Sequence, residues 1–244
     1  MALFRSRASA TRLQPPPPDE AIDIPLLGEE MPVVMDPEGQ ISEQYRRLRH
    51  SIQTLNPEGA PRSLFMTSAV RGEGKSVATI NLAMSFAELS HMRICIVDTD
   101  FRYPSIERYL GLPRRQGLTE VLLGQLPLAQ ATRQTSRKNL CVLGCGGGHP
   151  NPTELIGTDR ARTVLHHLKR NFDYVLIDGP AALALSEASL VGSLCDGILL
   201  IVRLGSTPRH LVEETYTVLE NLGGNILGVC LTGAEERGEH YYYY

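Results

Sequence analysis

The sequence predicts an α/β fold in which a mostly parallel central sheet is covered by helices on both faces. Two observations carry this. Short apolar runs that read as strands, SLFMTS (63–68), RICIVD (93–98), YVLID (174–178), GILLIVR (197–203) and NILGVCLT (225–232), alternate with segments of helical periodicity. Those runs are apolar at successive positions rather than at every second one, as strands buried on both faces require.

Taken in order, residues 1 to 40 hold PPPP (Pro15 to Pro18) and DPEG without sustained apolar periodicity, and are expected to be an extended, solvated arm. The basic start MALFRSRASATRLQPPPP lacks the apolar stretch of a secretory signal. In ISEQYRRLRHSIQTL, Tyr45, Leu48, Ile52 and Leu55 recur at helical spacing, with Ser42 as the expected N-cap. SLFMTS leads through a Gly-rich turn into a helix whose Val77, Ile80, Met84 and Ala87 share a face. RICIVD follows, then short helical stretches at SIERYL and LTEVLL and a strand at NLCVLG. DRARTVLHHLKR is helical, YVLID a strand and SEASLVGSL a helix. After GILLIVR, the helix PRHLVEETYTVLENL is closed by Gly223 and Gly224 and NILGVCLT ends the series. The layout is therefore an arm (1–40), one domain (41–232) and a flexible tail (233–244).

A net charge of −3 supplies no global positive field, so no nucleic-acid partner is expected. The longest apolar run, GILLIV, is far short of the roughly 20 residues of a membrane helix. Of the five cysteines, Cys95, Cys195 and Cys230 sit in or beside apolar runs, as reduced thiols do. Cys141 and Cys145 have no second pair with which to complete a zinc site.

The chemistry begins at AVRGEGKS (69–76). A strand enters a Gly-rich turn and a helix leaves it, the arrangement of a P-loop, with Ala69 in place of the usual first glycine. Arg71, Gly72, Glu73, Gly74, Lys75, Ser76 and Val77 form the expected nucleotide-binding stretch. Backbone N–H groups converge on phosphate oxygens, Lys75 adds a cation and the Ser76 hydroxyl is a magnesium ligand. Asp178, at the carboxyl end of an apolar strand, is the expected second magnesium ligand. Asp98 and Asp100 point the same way on an extended chain. They serve either as general base and helper for a hydroxyl nucleophile or as a turn-stabilising ion pair with Arg102, and the spacing leaves both readings open.

Together these segments resemble the bacterial tyrosine kinases, a family of P-loop NTPase fold. SAVRGEGKS resembles that family's Walker A loop, ICIVDTDFRYP its second acidic motif and YVLIDGP its Walker B strand. HPNPTELI and EQYRRLR match two supporting motifs, and the chain ends, like the family, in a tyrosine cluster. The resemblance runs from about residue 41 to the end. It implies ATP and Mg²⁺ as cofactors, with Lys75 on the phosphates and Ser76 and Asp178 on the metal. It makes Asp98 the base on a tyrosine hydroxyl with Asp100 supporting it, and Tyr241, Tyr242, Tyr243 and Tyr244 the phosphoacceptors. It further implies ring-like self-association through Glu43, Arg46 and Arg49, a membrane-embedded polysaccharide chain-length regulator as activator, and a tyrosine phosphatase. The protein is then cytoplasmic, recruited to the inner face of the plasma membrane, and acts in exopolysaccharide or capsule assembly. Where the family often has an Asn near the purine, this chain has Thr232.

In a parallel sheet the last strand ends on the phosphate-loop edge, so the tail leaves on that side. Gly233 to His240 reach at most roughly 27 Å. Two rival readings are a partition or site-positioning ATPase and a nucleotide-gated scaffold. The ATPases carry an extra lysine early in the loop, at the position of Val70 here.

Overall fold

The structure, a computed structural model, describes residues 31–55 and 62–234. Residues 1–30, and with them most of the expected arm, lie outside it, as do Glu235, Glu236, Glu239 and the four tyrosines of the tail. The helices are α1 (Pro32–Met35), α2 (Gln40–Thr54), α3 (Lys75–Ala87), α4 (Ile106–Tyr109), α5 (Leu118–Leu122), α6 (Leu128–Ala131), α7 (Pro152–Ile156), α8 (Asp159–Asn171), α9 (Ser186–Leu194) and α10 (Arg209–Asn221). The strands are β1 (Ser63–Ser68), β2 (Ile94–Asp98), β3 (Arg133–Gln134), β4 (Leu140–Leu143), β5 (Tyr174–Ala181), β6 (Gly197–Arg203) and β7 (Ile226–Thr232). They form a seven-stranded sheet in the order β3-β4-β2-β5-β1-β6-β7, parallel except for the two-residue pairing of β3 with β4.

Alternate residues of the inner strands feed two cores. Leu64 and Met66 of β1, Ile94 and Ile96 of β2, and Tyr174 and Leu176 of β5 pack on one face with Ile80, Met84 and Phe86 of α3. Phe65, Cys95, Val97, Val175 and Ile177 pack on the other with Leu168 of α8 and Val191 of α9. This is why the runs are apolar at every position. The Phe65 ring also explains Gly179 in β5: a Cβ there would lie 2.0 Å from that ring. At each of these inner positions the side chain faces a layer of helix.

The arm ends earlier than expected. Met31 and Val33 are buried in the core, α1 lies against α2 and α3, and the Val33 amide donates to Asn81 Oδ1 at 3.3 Å. Residues 31–39 therefore belong to the folded domain. MPVVM buries Met31 and Val33 and leaves Met35 exposed within one turn, too short to show a period. The expected cap of α2 is also corrected. Gly39 occupies the N-cap position, and Ser42 is fully buried in the first turn, donating to the Asp36 carbonyl at 2.6 Å. The short elements α6, β3 and α7 have no periodicity that would have announced them.

Helix α2 is clamped to α3 by charge. Arg46 Nη2 lies 2.8 Å and Arg49 Nη1 2.9 Å from the Glu88 carboxylate, and Arg46 is 3.6 Å from Glu43. On the far side, Asp196 ties the entry of β6 to that of β1. Its Oδ2 accepts from the Arg62 amide (3.0 Å), the Ser63 amide (2.9 Å) and the Ser63 hydroxyl (3.0 Å), while Oδ1 meets Lys169. Burial works against this carboxylate, but Lys169 and the amide donors outweigh it and hold its pKa below the ordinary value. Replacing Asp196 by Ala orphans these donors and is expected to lower stability by about 2 kcal/mol at pH 7. Because the folded-state pKa is depressed, the loss is full above about pH 4 and fades as pH falls further. Urea denaturation of both proteins at pH 7 and pH 3.5 checks it.

Candidate functional site

The strand order places the site. The chain leaves β1 for β2 on one side of β5 and leaves β5 for β6 on the other side of β1, so connections diverge over the carboxyl ends of β1 and β5, where open α/β sheets form a crevice. Three adjacent strand ends deliver the chemistry: β1 runs into the glycine-rich loop, β2 ends in Asp98, and Asp178 of β5 is its direct register partner. The Thr99 amide and hydroxyl both donate to the Asp178 carbonyl at 2.8 Å, which fixes that register.

In the loop, Gly72 (φ +83°) and Gly74 (φ +87°) adopt left-handed backbone that a side chain would strain, and Gly74 opens α3. The N-terminus of α3 thus faces the crevice with its unpaired amides, a ready anion site. Lys75 is buried at the start of that helix, and Ser76 follows. The Ser76 hydroxyl donates to Asp178 Oδ2 at 2.5 Å and accepts from the Ser105 hydroxyl at 2.7 Å. Asp178 Oδ1 is buried and has no hydrogen-bond partner. A hydroxyl and an orphaned carboxylate oxygen side by side are the hard oxygen donors that Mg²⁺ takes, so the residues present fit that ion.

The loop is held from behind by a residue expected in front. Glu73 belongs to the expected nucleotide-binding stretch, yet its buried side chain turns away from the crevice. Oε2 accepts from the Val70 amide at 3.0 Å, and Oε1 accepts from the Arg203 amide at 3.4 Å and from the Thr207 hydroxyl. Thr232, at the position where the resemblance looked for a purine contact, donates instead to the Glu73 carbonyl at 2.7 Å. Arg71 stays in the crevice lining, its guanidinium 3.4 Å from the centroid of the Tyr103 ring on the facing wall.

The two aspartates of the acidic motif divide. Asp98 is fully buried. Its Oδ1 accepts from the Asp100 amide at 3.0 Å, and its Oδ2 accepts from the Ser105 amide at 2.9 Å and the Ile106 amide at 3.1 Å. Burial pushes its pKa up to about 7 although these amides favour the charged form, and the Asp100 charge adds to the rise. Burial also pushes Asp178 well above the carboxylate range, with the neighbouring Asp98 charge next, against the pull of Ser76 and Lys75. Asp100 lines the open crevice with Lys75 and Ser76 and accepts from the Tyr103 amide at 2.9 Å. The ion pair with Arg102 is not formed; Arg102 reaches Glu187 at 3.1 Å.

Lys75, Ser76, Asp98, Asp100 and Asp178 therefore converge on one place. Glu43, Arg46 and Arg49 do not join them but sit on the α2–α3 face. The site also contains residues that motif reading passed over. Ser105 hydrogen-bonds Ser76, and Tyr103, Arg108 and Tyr109 complete the wall facing the loop. The five cysteines are all free thiols, and no cluster of metal-holding His, Cys, Asp and Glu occurs among the described residues.

Known proteins are similar to this chain in sequence and in fold. The tyrosine-protein kinase YwqD of Bacillus subtilis is 31% identical over 210 residues, covering 85% of this chain and 88% of that protein. The succinoglycan biosynthesis transport protein ExoP of Rhizobium meliloti is 28% identical over 229 residues, 91% of this chain but only 29% of that longer protein. Among solved structures, the kinase domain of the Escherichia coli tyrosine kinase ETK superposes with a TM-score of 0.81 at 29% identity, covering 88% of this chain and 84% of that one. No family model matches the chain. With a near full-length relative above 30% identity and the phosphate loop, acidic motif and Asp178 gathered in one crevice, the chain belongs to the bacterial tyrosine-protein kinases.

Proposed function

We propose that the protein is an ATP-dependent tyrosine autokinase whose acceptors are Tyr241, Tyr242, Tyr243 and Tyr244 and whose phosphorylation state regulates assembly and export of an extracellular polysaccharide. The observation that carries this is the meeting of a lysine-bearing phosphate loop, a magnesium-ready pair and two further carboxylates at three neighbouring strand ends. Two carboxylates exceed what holding magnesium requires, and a phenol of pKa near 10 needs a base to attack.

Each residue has a task. The amides of the loop and of the first turn of α3 hold phosphate oxygens, and Lys75 neutralises charge on the transferring group. Ser76 and Asp178 would hold Mg²⁺, which when bound shields the phosphate oxygens from the approaching nucleophile. Asp98 carries a pKa suited to proton acceptance near neutrality, and Asp100 stands at the crevice where the phenol arrives. In this arrangement Asp100 orients the phenol hydroxyl, and Asp98, held by three amides, accepts its proton as the phenol oxygen bonds to phosphorus and the bond to ADP breaks. Those amides fix Asp98 in position without neutralising it, so its basicity is set by burial.

The tail follows directly on β7, whose end is fastened to the phosphate loop through Thr232. Each phosphate adds about −1.5 to −2 charge next to Glu235, Glu236 and Glu239, so a fully modified tail is repelled by the carboxylate-lined site and the assembly loosens. Self-association uses the α2 face of Glu43, Arg46 and Arg49. Among the described residues no helix is long and apolar enough to cross a membrane. A membrane-embedded chain-length regulator then recruits and activates the cytoplasmic kinase, a reading supported by the transport protein ExoP containing the matching region within a longer chain. A tyrosine phosphatase resets it. The position of Val70 carries no lysine, which disfavours a site-positioning ATPase.

Phosphotyrosine mapping after Mg–ATP, with a cytoplasmic segment of the chain-length regulator present as activator, tests the reading. Wild type is expected to be modified within 241–244 and Lys75→Met not at all; a signal surviving in Lys75→Met would trace to a contaminating kinase. Asp100→Asn is expected to slow transfer by about 10²- to 10⁴-fold without unfolding the protein. A chain ending at His240 should stay unmodified yet phosphorylate a Lys75→Met copy.

A second outcome concerns pH. The folded-state pKa of Asp98 is raised from 3.8 to about 7, so the folded protein holds a proton that the unfolded chain releases. Metal-free stability is therefore expected to decline as pH rises from about 4 to about 7 and to level off above. Urea midpoints at pH 5.5 and pH 8 measure this, and the difference should shrink in Asp98→Asn.

A further inference from the structure

We propose that the mouth of the crevice carries a cationic–aromatic subsite, built from Arg71, Tyr103 and Arg108, that selects acidic tyrosine-bearing segments as phosphoacceptors; this deepens the kinase reading above and rests on it. The crevice has a volume of about 350 Å³. One wall is the phosphate loop. The opposite wall, formed by Tyr103, Ser105, Arg108 and Tyr109, lies outside the loop and first helical turn that form the phosphate cradle.

That wall is unusual in two respects. Tyr103 is 54% exposed, although its amide is fixed on Asp100, and the Arg71 guanidinium stacks 3.4 Å from its ring centroid. Arg108 stacks 4.4 Å from the centroid of Tyr109. Among the described residues Arg46, Arg49, Arg102, Arg133 and Arg209 each have a carboxylate partner, but Arg71 and Arg108 form no such ion pair. Stacking uses the face of a guanidinium and leaves its N–H edge available for a carboxylate. Two guanidiniums are thus pre-positioned at the rim of a site whose interior is acidic.

The interior makes such a rim necessary. Asp98, Asp100 and Asp178 are crowded together and the other substrate is a polyanion. The tail before the tyrosines, GAEERGEH, carries three glutamates against the single Arg237. An acidic acceptor would be repelled from this crevice without cations at its entrance, and the exposed Tyr103 ring gives a phenol an aromatic surface to pack on. A neutral or basic acceptor gains nothing from the same rim.

The test uses the full chain with Tyr241–Tyr244 replaced by Phe, loaded with Mg–ADP, and fluorescent peptides added in trans. One peptide has the sequence EERGEHYYYY, the second has Gln at the three Glu positions and the third has Lys there. The acidic peptide is expected to bind about tenfold more tightly than the Gln peptide at low salt, with the preference shrinking as salt rises. Arg108→Gln and Arg71→Gln should each remove at least threefold of that preference while leaving the Gln peptide unaffected, and Arg108→Lys should restore part of it. Arg108→Glu should favour the Lys peptide, a gain that a misfolded variant cannot produce. With Mg–ATP, Arg108→Gln should raise KM for the acidic peptide with kcat within twofold. Equal binding of acidic and Gln peptides by the unmodified rim, or equal weakening of both in the variants, would overturn the subsite. A KM for ATP rising in step with KM for the peptide would overturn it too, by assigning the arginines to the nucleotide. Charge-selective binding without phosphoryl transfer to any peptide would sink the kinase reading and leave the subsite standing.

Discussion

Two carboxylates abreast in the dry end of a sheet are the constraint around which this molecule is organised. Asp98 and Asp178 are register partners on β2 and β5, both essentially without solvent; burial raises the proton affinity of each, and the Asp98 charge raises that of Asp178 further. Such a pair is costly to hold charged. The fold meets the cost with groups that are themselves functional: amides of the 100–106 turn on Asp98, and Ser76 and Lys75 beside Asp178. The orphaned Oδ1 of Asp178 marks the compensation the protein leaves to a bound cation. Stability is surrendered locally so that binding can restore it, and the strong core of the inner strands carries that deficit.

Around this centre the phosphate loop is shaped in advance. Glu73 fastens it to the ends of β6 and β7, and the glycines supply the backbone that the turn demands. A cradle fixed before its ligand arrives loses little entropy on binding. The same fastening connects the loop to the strand after which the C-terminal segment follows, so phosphate loop and last strand share one anchor.

What could be read from sequence was what is local. The strand ends, the GKS turn and Asp178 announce themselves because their chemistry lies within a few residues of the backbone that presents it. Glu73 could not be read, since the loop pattern leaves that position open and its partners Arg203, Thr207 and Thr232 lie 130 residues or more away. Arg46 and Arg49 showed only an i,i+3 pattern with Glu43; Glu88, their closer partner, lies some 40 residues on. α1 was hidden because one turn has no period, and its burial depends on the α3 surface. The Asp98–Asp100 spacing admitted two readings, and of these the ion pair is not formed, because Arg102 reaches Glu187 on a distant helix. Of the aromatic wall, Tyr103 lay inside the acidic motif without a role assigned to it, and Tyr109 lay in no motif.

The ring of Phe65 beneath Gly179 has a consequence for how such a chain can change over generations. Adding even a methyl at 179 collides with the ring, so that position stays closed until Phe65 has become smaller. Shrinking Phe65 first opens a void under the crevice, costing about 3 to 5 kcal/mol for a change to alanine. Either order crosses a weakened intermediate, and the two sites are locked into descending as a pair.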